Sequence, residues 1–103
     1  MRPGEEKSMF NNRRYATRGI TNTVPIVTQI IIWDCIDSMK VERKDYLQVF
    51  KLVANGTNQQ ITHSQEEPAY ERTFTFPTDE PITAKIFVID DETHSTMLLA
   101  EEY

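Results

Sequence analysis

From Tyr46 to Ala100 the apolar side chains recur at every second position, and this alternation constrains the fold more than any other feature. Alternation of that kind marks strands with one face buried. The runs are "YLQVFKLVA" (46–54), "QQITHSQ" (59–65), "AYERTFTF" (69–76), "TAKIFVI" (83–89) and "STMLLA" (95–100). The links between them are short. "NGTN" (55–58) is a hairpin loop in which Gly56 supplies a positive φ, and Pro68 ends or bulges the second run. "PTDEP" (77–81) is a proline-marked turn, and "DDETH" (90–94) links the last pair. Links of that length join antiparallel neighbours, so the chain must form a sheet with an apolar face to cover.

One other segment is long enough to provide the cover. "IVTQIIIWDCIDSMK" (26–40) contains the β-branched triplet Ile30-Ile31-Ile32, which favours a strand. Its length and its scattered Thr28, Gln29, Asp34, Asp37 and Ser38 favour a helix, and length decides. Asn22 or Thr23 is placed to cap this helix, with Pro25 in its first turn. "RRYATRGI" (13–20) reads as a brief strand interrupted by Gly19. The expected architecture is α+β, with one main helix packed on a curved antiparallel sheet of four to five strands. That helix is apolar around most of its circumference. The sheet must cover one side and something else the other.

Cys35 is the only cysteine of the 103 residues, which rules out an internal disulfide and a cysteine-rich zinc site. With no signal-peptide pattern and no apolar run of bilayer length, a reducing cytoplasm is the expected compartment. The formal net charge is −5 and is unevenly spread. Residues 1–20 hold five basic side chains against two acidic ones, and the remainder holds six against fourteen. An acidic body repels phosphate backbones and disfavours general nucleic-acid binding. "MRPGEEKS" (1–8) is polar and aperiodic, as an unstructured terminus is. Codons for Gly4-Glu5-Glu6 are able to spell a ribosome-binding sequence just upstream of Met9. The expectation is therefore a translated leader or over-called start, with the domain spanning 9–103.

Residues able to carry chemistry are few. His63 with Glu66, and Asp90, Asp91 and His94 in the last hairpin, are the candidate metal ligands. Strand alternation places His63 with Ile61 and Gln65 and turns Glu66 the other way, which opposes convergence on one ion. Cys35 lies in an apolar helix beside Asp34 and Asp37, which raise its thiol pKa and argue against a nucleophile. Glu66, Glu67 and Glu71 are close enough in sequence for paired-carboxylate chemistry, yet such density is ordinary on an acidic surface. No phosphate loop, dinucleotide fingerprint or hydrolase elbow is present. Arg13, Arg14, Tyr15 and Arg18 form a basic cluster around an aromatic, a candidate surface for an anion or an acidic partner. Trp33, Tyr46, Phe50, Tyr70, Phe74, Phe76 and Phe87 read as core.

The segments "NNRRYATRGI", "DYLQVF", "QEEPAYE" and "KIFVIDDETHSTMLLAEEY" together resemble the bacterial domain-of-unknown-function 960 family, small proteins of Gram-positive bacteria and their phages. The resemblance runs from about Met9 to Tyr103. It implies a helix followed by antiparallel strands in a roll similar to the nuclear-transport-factor or cystatin type, and it implies no activity, cofactor or site residues.

Three functions are compatible with these features. The foremost is a non-catalytic protein-binding or assembly module without cofactors, with a protein partner or a second copy as its occupant. The others are a metal protein or enzyme using His63 and His94 with nearby carboxylates, and an acidic nucleic-acid mimic that occupies a DNA-binding protein. The last is motivated by residues 79–103, where Lys85 stands alone against seven acidic side chains.

Overall fold

A computed structural model describes residues 9–103, so the expected leader at 1–8 lies outside the described residues. Strand β1 (Arg13–Ala16) is followed by helices α1 (Arg18–Thr23) and α2 (Ile26–Ser38). Strands β2 (Leu47–Asn55), β3 (Asn58–Gln65), β4 (Tyr70–Pro77), β5 (Ala84–Asp90) and β6 (His94–Leu99) come next, and a 3-10 turn closes at Ala100–Glu102. They form one six-stranded sheet in the order β1-β6-β5-β2-β3-β4.

The α+β class holds, with three corrections. The sheet has six strands, not four or five, because Arg13–Ala16 adds to its far edge. It is not wholly antiparallel, since β1 runs parallel to β6 with Arg14 opposite Ser95 and Tyr15 opposite Thr96. The described residues form two α-helices where one was expected. Thr17 caps α1 through its hydroxyl, which accepts the Ile20 N–H, and Gly19 lies inside that helix. Asn22 and Thr23 therefore belong to α1, and Pro25 stands at the N-cap of α2. The helix signal in residues 18–23 was hidden because only Ile20 of that segment is buried.

Both helices feed one core. Ile20, Val24, Ile32, Cys35 and Ile36 meet Phe50, Leu52, Ile61, Ile86, Val88 and Met97 from the sheet. Phe10 is also fully buried there, and Met9 packs against the cluster. On α2 the inward face is Thr28, Gln29, Ile32, Cys35 and Ile36, whereas Ile26, Val27 and Ile30 are exposed. This partition explains why the helix reads as apolar all round. Two polar residues point in and three apolar ones point out. At the β2–β3 hairpin Gly56 has φ +63, a conformation that costs a side-chain-bearing residue and that the two-residue connection requires.

Candidate functional site

The helix-facing side of β2 and β3 carries a buried polar chain where the alternation suggested hydrocarbon. Gln48, Gln59, His63 and Gln65 are all buried. Each glutamine holds loop backbone that would otherwise be unpaired. Gln65 accepts the Asp45 N–H at 2.8 Å and donates to the carbonyls of Arg43 at 3.1 Å and Pro68 at 2.8 Å. Gln59 accepts the Ile82 N–H at 2.8 Å and donates to Ile82 O at 2.9 Å. Gln48 donates to Asp45 O at 2.8 Å and to Gln65 Oε1 at 2.7 Å. A buried backbone group without a partner is costly, and these three side chains remove that cost along three connections, α2–β2, β3–β4 and β4–β5.

Because the amide nitrogen of Gln48 is committed as a donor, its oxygen faces His63. The imidazole Nε2 sits 2.6 Å from Gln48 Oε1 and therefore carries the proton. Nδ1 is then a bare acceptor, and it has no partner although it is buried. The ring stacks on Phe50 at 4.3 Å between centroids and meets Tyr70 edge-on at 5.3 Å. Burial, with the positive Arg72 and Lys44 adding to it, lowers the His63 pKa to about 4. This neutral imidazole is locked between an amide and two aromatic rings.

The remaining candidate ligands are dispersed. Glu66 lines a cleft on the opposite side of the sheet, with Asp45, Tyr46, Leu47, Val49 and Ser64. Asp90 is buried and structural: one oxygen accepts the Phe10 N–H at 2.7 Å, and the other accepts Asn12 Nδ2 at 3.0 Å and the Glu92 N–H at 2.7 Å. Ser95 donates to Asn12 Oδ1 at 2.6 Å and completes that knot. Asp91 and His94 form their own pair at 3.2 Å, and backbone donation from His94 with the Thr93 hydroxyl holds the Asp91 carboxyl below its ordinary range. Among the described residues, no three His, Cys, Asp or Glu side chains gather closely enough to hold a metal ion. Cys35 is buried, and burial above all pushes its thiol up to about 11, with Asp34 adding to the shift and Arg72 opposing it.

The basic cluster is divided by the strand it lies on. Arg14 turns to the helix side, where it forms a two-bonded pair with Asp37 at 2.5 and 3.1 Å and lies 4.6 Å over the Trp33 ring. Arg13 and Tyr15 turn to the far side, and Arg18 opens α1. The four residues do not form one surface.

Among the described residues, no α-helix lies over that far side of the sheet. The register places Leu47 beside Ile89 and Val49 beside Phe87, with Leu98 and Thr96 next in line on β6. Leu47, Val49, Phe87 and Ile89 are half-buried, and Tyr15, Tyr46 and Tyr103 around them are exposed. Phe87, expected in the core, is thus on the outer face and Tyr46, also expected there, is exposed just before β2, while Phe50 fills the core and Trp33, Phe74 and Phe76 pack against it. Sequence alternation identified the two faces of each strand. It did not reveal that both helices cover the same face.

Comparison with known proteins agrees with this architecture. A family model described as Staphylococcal protein of unknown function (DUF960) matches residues 13–102. No curated protein shows significant similarity to the chain. The crystal structure of a protein of unknown function from Enterococcus faecalis is similar at TM-score 0.77 and 28% identity, covering 90% of this chain and 92% of that one.

Proposed function

Since the chain belongs to the DUF960 family of Staphylococcal proteins of unknown function, which prescribes no chemistry, we propose on physical grounds that it is a non-catalytic protein-binding module acting in the cytoplasm. The observation that carries this reading is that, among the described residues, no third layer covers the sheet. A sheet with half-buried Leu47, Val49, Phe87 and Ile89 on the side away from its helices keeps an apolar strip in water. Contiguous apolar strips rimmed by exposed aromatics are the usual form of a protein interface. The polar residues of the kind used in catalysis are engaged elsewhere: His63 on Gln48, Asp90 on Phe10 and Asn12, Asp91 on His94. The buried single cysteine suits a reducing compartment.

The test is retention of partners by immobilised protein from extracts of cells that make it. Polypeptides bound by the wild type, the protein itself included, are expected to be lost with Phe87→Glu and kept with Lys40→Glu, an exposed position between α2 and β2. Retention that ignores Phe87→Glu, or the absence of any bound polypeptide, counts against the reading.

A further inference from the structure

We propose that the occupant of the uncovered sheet face is a second copy of this chain, docked face to face about a two-fold axis near Val49. This inference rests on the binding-module reading and adds the identity of the partner. It starts from a like-charge contact. Lys51 on β2 and Lys85 on β5 are direct cross-strand partners on the outer face, and both are exposed. Like charges directly opposite each other destabilise a sheet, and among the described residues no carboxylate forms an ion pair with either lysine. The Lys85 ammonium lies 5.5 Å over the Phe87 ring, so it borders the apolar strip.

The opposite end of the same strip is acidic. Beyond Leu47, on the side away from Lys51, the cleft of about 150 Å³ is lined by Asp45 and Glu66 with Tyr46, Leu47 and Val49. The order along β2 is therefore carboxylates, apolar centre, ammoniums. Such a surface is complementary to itself. A half-turn about an axis lying between the two sheets, perpendicular to β2 and level with Val49, lays the partner's β2 antiparallel over this one and carries the lysine end of one copy onto the acidic cleft of the other. Each copy then relieves its partner's lysine pair, and the apolar residues between the two ends are buried together. An isologous contact of this kind requires this self-complementary order.

Size and layering agree. Six strands at about 4.8 Å spacing and seven residues at about 3.3 Å rise give a footprint roughly 25–30 Å by 20 Å, the scale of a standard interface once side-chain relief is included. The pair has the layers helix, sheet, sheet, helix, with the facing sheets packed as in a sandwich. The long lysine stems lie along apolar surface and bring their charges to the partner's carboxylates.

Charge exchange supplies the test. Lys51→Glu/Lys85→Glu places carboxylates against the partner's acidic cleft, and Glu66→Lys places ammoniums against its lysines. All three positions are exposed, so the fold survives, which far-UV circular dichroism checks. In sedimentation equilibrium the wild type is expected to be a dimer at micromolar concentration. Each variant alone should dimerise at least about tenfold more weakly, and an equimolar mixture of the two should recover to within about threefold of wild type. In the mixture both ends are again matched. A wild type that stays monomeric at 100-fold higher concentration, or a dimer indifferent to these reversals, overturns the proposal. A monomer that still retains another polypeptide through Phe87 leaves the binding-module reading standing, and a monomer that retains none removes both.

Discussion

His63 and Gln48 face each other across β3 and β2, with the imidazole Nε2 donating to the amide oxygen at 2.6 Å in a site closed to water. The bond exists only while the ring is neutral or gains its proton at Nδ1, and Nδ1 points at no acceptor. Protonation therefore places an unpaired charge inside the core.

This relationship gives the fold an acid-sensitive element. The His63 pKa is depressed from 6.5 to about 4, so the folded state binds a proton less readily than the unfolded chain. Stability from this group is fully present above pH 6.5, declines as pH falls from 6.5 to about 4, and loses nothing more below that. The loss is on the order of 3 kcal/mol. Urea unfolding of wild type and His63→Phe between pH 7 and 4 isolates it, because the carboxylates titrate in both. The variant should start about 1–2 kcal/mol less stable at pH 7, with Gln48 Oε1 left unpaired, and the two curves should converge or cross by pH 4. Parallel curves would refute the assignment.

Thr28 offers a gain in stability. Its hydroxyl is buried on the inner face of α2 and has no hydrogen-bond partner. The carbonyl of Val24, the usual acceptor one turn back, is taken by Gln29 Nε2 at 2.9 Å. Thr28→Val keeps the shape and removes the unsatisfied group. It should raise the unfolding free energy by about 1 kcal/mol, read as a higher urea midpoint at unchanged slope.

Asp90 is a donor trap whose geometry holds the segment from Phe10 to Asn12 in place. It holds Phe10, whose φ of 66 lies in the left-handed region that a phenylalanine rarely occupies. Asp90→Asn retains the shape but turns an amide NH₂ toward one of the N–H donors. The expected cost is about 2–3 kcal/mol, with faster amide hydrogen exchange at Phe10 and Glu92. A neutral outcome would mean that the Phe10 side chain alone keeps the segment in place.

Gly19 and Glu102 are a matched pair. The Glu102 carboxylate accepts from Thr17 Oγ1 at 2.6 Å, Leu99 N at 2.8 Å and Gly19 N at 3.2 Å, and the Thr17 hydroxyl above all lowers its pKa. A Cβ at position 19 would stand 2.6 Å from that carboxylate. Gly19→Ala should displace Glu102 and accelerate exchange of the Leu99 amide, as Glu102→Gln should by a separate route. Alanine's own helix preference keeps the global stability change below about 1 kcal/mol. Unaltered Leu99 exchange in both variants would rule out the pairing.

Strand alternation made β2 through β6 legible to within a residue or two, and the length of 26–40 made α2 legible against its β-branched Ile30-Ile31-Ile32. What alternation hides is which face a polar residue occupies when its partner is distant. Gln48, Gln59 and Gln65 look like solvent residues until the loops they hold are in place. The brief strand read over 13–20 is a strand only at Arg13–Ala16, with α1 taking over from Arg18, and its parallel docking on β6 depends on residues about eighty positions away. The candidate ligands His63 and Glu66 were separable by strand parity alone. Asp90 was not, because its donors come from Phe10 and Asn12 at the other end of the domain.

The parallel pairing of β1 with β6 dictates an order of assembly. Arg13–Ala16 leave the ribosome about eighty residues before the edge they join, His94–Leu99. Until then the exposed Ile26, Val27 and Ile30 and the inner side of α2 share one uncovered rod, and chaperone capture during synthesis should be greatest in that interval. Removing Met97 onward would strip the seam that joins both ends, and proteases would find the chain open at each.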